Sequence, residues 1–227
     1  MTATAGRRAA LVGLGAVAAT EVVLIHLGRT HGSTRAERAL ALPGDELVAD
    51  PPVITDHAVT IDAPPAAVWP WLVQVGWHRG GWYTARWVDR LLFPANRASA
   101  EAIIPELQHL AIGDLVPDGP PEAECAFVVE QLRPAECLVL RSTSHVPPPW
   151  RAHVHIDWSW AFVLRRERGG AATRFHVRSR WRSSPWWFAA AVHLTIVPAD
   201  LVMSRDMLHG VARRAEGWRA PATAGLR

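Results

Sequence analysis

The clearest pattern in the chain lies between residues 152 and 182. Val154, Ile156, Trp158, Trp160, Phe162 and Leu164 alternate with His153, His155, Asp157 and Ser159. A period of two puts the apolar set on one side of a β-strand and the polar set on the other, which predicts one buried face and one wet face. Beyond Gly169-Gly170 the alternation resumes in the opposite phase, with Phe175, Val177 and Trp181 inward and Arg174, His176, Arg178, Arg180 and Arg182 outward. Two such runs joined by a tight glycine turn make an antiparallel hairpin. Residues 112–117, 125–132 and 137–144 are shorter β runs, punctuated by Pro117-Asp118-Gly119 and Pro147-Pro148-Pro149, and residues 57–62 (HAVTID) add another.

Helical spacing occupies three places. Pro64-Pro65 fixes the start of AAVWPWLVQVG, where Pro70 should kink the helix or split it and Gly76 stops it. In ARWVDRLLF, Trp87, Val88 and Leu91 share one side while Arg86, Asp89 and Arg90 take the other. From Pro198, a stripe of Leu201, Leu208, Val211, Ala215 and Trp218 predicts a long amphipathic helix. The apolar run just before it, residues 186–197, is too short to span a bilayer and would pack on the sheet or lie at a membrane surface.

This order of elements predicts an α+β fold, a curved antiparallel sheet covered by the last helix, preceded by an N-terminal apolar helix. The domain organisation read from it is an apolar segment at 1–29, a Pro/Asp/Gly-rich linker at 30–52, one domain at 53–220 and a disordered tail at 221–227. Residues 9–27 follow Arg7-Arg8 and form a nearly bilayer-length apolar stretch, interrupted by Glu21 and His26. That stretch reads as a single-helix membrane anchor, which would place the protein at a membrane. A cleaved signal near Ala16-Val17-Ala18, giving an exported protein, and a soluble amphipathic helix on a cytoplasmic one are the alternatives.

Composition changes this picture in two respects. Twelve Trp stand against one Tyr and five Phe, so much of the apolar bulk is in large rings with a single donor each. All the basic residues are Arg, scattered without a stripe, and the net charge is only +3, which argues against nucleic acid as a partner. Cys125 and Cys137 would not face each other in the expected hairpin, so no disulfide is expected.

Several stretches resemble the SRPBCC superfamily, the START-like and polyketide-cyclase-like helix-grip proteins, and within it an uncharacterised bacterial subgroup. They are GDELV at 44–48, TIDAPPAAVWPWLVQVG at 60–76, RGGWYTARWVDRLL at 79–92, AEAIIPELQHLAIGDLV at 100–116 and PADLVMSRDMLHGVARRAE at 198–216. Where that family usually has an acidic residue before the Trp matched by Trp87, this chain has Arg86. The resemblance implies a deep cavity between sheet and last helix that holds an apolar small molecule such as a lipid, polyketide or isoprenoid, with no fixed catalytic set and no cofactor.

Within such a cavity, Trp69, Trp82, Tyr83, Trp87, Trp158 and Trp160 are the expected lining, with ordinary core packing as the alternative for each ring. Tyr83 is the best polar handle. If the protein is instead a cyclase or dehydrase, Tyr83 or an inward Arg141 would move protons; a third reading is a membrane-bound accessory protein with no ligand, residues 9–27 and 186–197 both touching lipid. His153, His155 and Asp157 share a strand face near His176, but a wet face explains them, and no metal site is expected. Nucleophile-elbow, phosphate-loop, dinucleotide-binding, HExxH and paired CxxC signatures are all missing, which favours binding over catalysis.

Overall fold

A computed structural model of the chain describes residues 2–92 and 94–218. The expected tail at 221–227 lies outside the described residues. Six strands form one antiparallel sheet: β1 (Val53–Ile61), β2 (Leu115–Pro117), β3 (Ala126–Arg133), β4 (Cys137–Ser142), β5 (His155–Glu167) and β6 (Ala172–Ser184). Their spatial order is β1-β6-β5-β4-β3-β2, so β2 to β6 run as a meander and β1 closes the far edge on β6. The helices are α1 (Thr2–Thr30), α2 (Arg35–Arg38), α3 (Pro65–Val73), α4 (Arg86–Leu92) and α5 (Trp186–Gly217).

The inner face of the sheet follows the alternation. Trp160, Phe162, Leu164, Phe175 and Val177 join Leu138 and Leu140 in the main core, against Met207, Leu208, Val211 and Ala215 of α5. α5 closes this face, lying against β1, β6 and α3. Gly210 permits the closest approach, since a Cβ there would run into the backbone carbonyl of Tyr83.

The outer face is not wet over its middle, contrary to the strand pattern. The stretch read as a linker, residues 30–52, packs along it. Leu42 and Leu47 cover Cys137, Val139, Ala161 and Val163, and Gly44, at φ +87°, sits where a Cβ would come 2.5 Å from Val139 Cγ1. Arg178 ties this strap down: its Nε donates to Asp56 Oδ1 (2.8 Å), and its Nη atoms donate to the carbonyls of Glu37, Arg38 and Leu40 and to Asp45 Oδ2 (2.8 Å). His176 Nε2 lies 2.7 Å from the same Asp56 oxygen. Arg174 donates from Nε to Glu37 Oε1 at 2.7 Å. An alternating arginine is therefore buried here because backbone carbonyls and carboxylates replace water around it.

Pro70 does not split its helix, and Pro198 does not begin one. α3 runs through Pro70, whose carbonyl accepts from Gln108 Nε2 at 3.2 Å, and α5 runs through Pro198, so residues 186–197 are the first third of one helix. This moves the long apolar helix. Among the described residues, the one helix long and apolar enough to cross a membrane is α5 at the C-terminal end, rather than the N-terminal helix the sequence pointed to, and 22% of its apolar window is buried. A covered core helix meets the same test of length and composition. α1 does form, and its C-terminal end packs on α5, where Gly28 meets Val197 and Ile25 joins Val53, Trp181 and Val197.

Candidate functional site

The expected cavity lining divides into four fates. Trp158 and Trp160 do face α5, but other rings fill the space around them. Trp160 lies 5.2 Å from Trp82 and 5.3 Å from Trp158, and Phe127 lies 4.8 Å from Trp158, centroid to centroid. They form a packed aromatic layer in place of an open chamber. Trp69 is partly buried against the same core. Trp87 is 58% exposed on α4, with Leu91 beside it. α4 is rotated relative to its sequence pattern: Val88 is buried as expected, but Asp89 is buried beside it in place of Trp87 and Leu91, its Oδ1 accepting from Thr84 Oγ1 (2.6 Å) and Asn96 Nδ2 (3.3 Å).

Arg141 is not inward. It sits on the outer face and makes a two-pronged pair with Asp157, Nε and Nη2 each donating at 3.0 Å. His155 is exposed and His176 is committed to Asp56, so the histidines of β5 and β6 do not converge with Asp157. Tyr83 is buried, as a structural group. Its hydroxyl donates to the Trp71 carbonyl at 2.8 Å, its ring meets Trp71 edge-on at 5.9 Å, and the Arg214 guanidinium lies 4.9 Å over it. Burial pushes its pKa well above the ordinary phenol value, so it holds its proton at neutral pH.

Room for a small molecule opens at the C-terminal end of α5, in a cleft of about 720 Å³. Trp71 of α3 forms one wall with Ala102, Ile103 and Pro105, and Trp218 and Gly217 form another, while Glu101, Arg213 and Arg214 supply charge. The volume is that of a typical small-molecule site. Buried Gln74 holds the 102–108 wall in place: Nε2 donates to the Ala102 carbonyl (3.2 Å) and Oε1 accepts from the Ile104 amide (2.9 Å). Arg214 fixes the opposite rim, donating to the carbonyls of Ala100 (2.8 Å) and Gly210 (3.0 Å) and to Glu101 Oε1 (2.5 Å). The buried indole N–H of Trp71 has no acceptor among the described residues.

A second, smaller pocket of about 140 Å³ lies beside Trp77, Arg79, Trp82 and Asp89. Trp82 Nε1 and Asp89 Oδ2 are both buried there without partners among the described residues.

No family model matches the chain, and no curated protein does. Solved structures do. A hypothetical protein from Helicobacter pylori is similar over 77% of this chain and 95% of its own, at 11% identity and a TM-score of 0.45. CalU16 from Micromonospora echinospora is similar over 71% of this chain and 82% of its own (14% identity, TM-score 0.31). The Zhui aromatase/cyclase from Streptomyces sp. R1128 is similar over 77% of this chain and 99% of its own (13% identity, TM-score 0.32). At these scores the likenesses carry no argument about chemistry; the architecture stands on the strand order and the closing helix.

Sequence reading passed over Trp71, Ile103 and Arg214. Trp71 carried a usable signal, since with Val68 and Leu72 it lies on the apolar side of a helix.

Proposed function

We propose that this protein binds an apolar small molecule with an acidic end in the cleft between α3, the 101–105 loop and the end of α5. The carrying observation is a cleft of about 720 Å³ walled by Trp71, Ile103 and Trp218, with Arg213 at the rim. Burial of apolar surface would supply the affinity. The Arg213 guanidinium would attract a carboxylate.

A cyclase or dehydrase on the same scaffold needs a proton carrier, and the two groups named for that role are placed elsewhere: Tyr83 is buried with its hydroxyl donating to the Trp71 carbonyl, and Arg141 is on the outer face with Asp157. Binding is therefore the reading we adopt.

The test is a titration with 1-anilinonaphthalene-8-sulfonate, followed by competition with a long-chain fatty acid, a menaquinone and a hydroxyanthraquinone acid. Saturable binding that Ile103→Glu abolishes supports the reading. Probe binding that is non-saturable, or indifferent to Ile103→Glu in a folded variant, refutes it.

Membrane association belongs to the same proposal. α1 and the first turns of α5 pack together and leave Val22, Val23, Trp187, Leu194 and Ile196 exposed, with Trp186 81% exposed. Paired apolar helices with exposed Trp residues at one end suit a bilayer interface. Flotation with phospholipid vesicles checks it: the full chain should float, and a Trp186→Asp/Trp187→Asp variant should float less.

A further inference from the structure

At the mouth of the β2–β3 hairpin, remote from the cleft, three ligand-type side chains converge. Asp118 and Cys125 follow and precede the paired residues Pro117 and Ala126, and the Asp118 amide donates to the Cys125 carbonyl at 2.9 Å. His145, just past the end of β4, reaches the same point. A carboxylate oxygen of Asp118, Sγ of Cys125 and a ring nitrogen of His145 all lie within 4.8 Å of one another.

Hydrogen-bond accounting fixes how the imidazole is turned. Ser144 Oγ donates to the Ala126 carbonyl (3.0 Å) and accepts from the Ala126 amide (3.1 Å), so its proton is spent. The Ser142–Ser144 contact at 3.1 Å must then use the Ser142 proton. Ser142 Oγ, which also accepts from the Ser144 amide (3.1 Å), is left as an acceptor toward His145 Nδ1 at 2.7 Å. Nδ1 therefore carries hydrogen, and Nε2 is the atom facing Asp118 Oδ2, 2.8 Å away. Nε2 and the Asp118 carboxylate therefore point at one spot beside Cys125 Sγ, where a single bound cation would be shared by all three. The ring is also held rigid, with its centroid 4.4 Å from Phe127 and 4.8 Å from Trp158.

We propose that Asp118, Cys125 and His145 form a binding site for one divalent transition-metal ion, with zinc the best match. An oxygen, a sulfur and an imidazole nitrogen are a zinc-type donor set, and three protein ligands leave a fourth position open to water. Ser142 acts behind His145 as the acceptor that fixes the ring, the usual outer-shell role for a metal-bound histidine. Metal–ligand bonds of about 2.0–2.3 Å need the Nε2–Oδ2 gap to widen by roughly half an ångström, a small movement for a side chain in a turn.

The experiment uses the untagged full chain, stripped with a chelator and titrated with Co²⁺ and then Zn²⁺. One equivalent of Co²⁺ should raise a thiolate-to-cobalt charge-transfer band in the near ultraviolet, which one equivalent of Zn²⁺ should bleach. Cys125→Ser should lose that band, and Ser142→Ala should weaken zinc binding about 10–100-fold. A wild-type protein that shows no saturable cobalt band, or one whose band survives Cys125→Ser, overturns the proposal and leaves a His145–Asp118 ion pair as the whole of the cluster.

Discussion

Replacing Arg178 by Met tests whether the 30–52 strap is part of the folded unit. The guanidinium makes five hydrogen bonds, to Asp56, Asp45 and the carbonyls of Leu40, Arg38 and Glu37. Met keeps the apolar stem and removes the charge. Asp56, 3% exposed, is then left with His176 as its one remaining side-chain partner among the described residues. Removing one partner of a buried ion pair costs about 3–5 kcal/mol. In a chain of this size each kcal/mol is worth about 2–4 °C, so Tm should fall by roughly 6–20 °C. Arg178→Lys should not restore it, because a single ammonium cannot span the same set of acceptors. Calorimetry gives the Tm, and amide hydrogen exchange over residues 35–48 shows whether the strap lifts. A loss under about 1 kcal/mol, or unchanged protection of the strap, would show that residues 30–52 are a free tether after all.

Gly210→Ala should destabilise by about 1–3 kcal/mol or more in urea unfolding, because the added methyl meets the Tyr83 backbone at the tightest point between α5 and the 82–83 loop. Tyr83→Phe should cost about 1 kcal/mol, from the lost bond to the Trp71 carbonyl, and leave dye binding in the cleft intact. Unaltered stability would mean that this bond contributes nothing. The hydrogen bond from Arg174 holds the Glu37 carboxyl at about 2, against an ordinary 4.5. The folded state thus binds that proton less tightly than the unfolded chain. The stabilisation is complete above pH 4.5 and is lost as pH falls toward 2. Acid titration of Glu37→Gln should show a flatter slope in that window.

The faces of β5 and β6 were legible because a period of two is dictated by the pleat, and every inward residue from Trp160 to Leu164 and from Phe175 to Trp181 lies where the alternation put it. What covers the opposite face was not legible. Arg178 and His176 have the same letters whether water or main-chain carbonyls surround them, and the partners are more than a hundred residues away in the chain. The continuity of α5 through Pro198 was hidden for a related reason: a proline removes a local bond, but the packing of Val197 against α1 and β1 maintains the helix. Of the site, the aromatic cluster was visible as composition, yet which rings face a void depends on how the 101–105 loop is pinned by Gln74. Trp87 and Arg141 were misplaced because a seven-residue helix and a six-residue interior strand buried on both faces give too few contrasting positions for periodicity to decide the phase.

The strand order has a consequence for biogenesis. β2 to β6 pair with their immediate neighbours in the chain and can assemble as each hairpin leaves the ribosome, but β1 waits for β6, with Val53 opposite Trp181. The layer of Trp158, Trp160 and Phe162 then stays bare until the segment from Met207 to Ala215 arrives. Newly made chains thus pass through a stage with a sticky aromatic sheet and an open border, when chaperone capture or misassociation competes most strongly with completion.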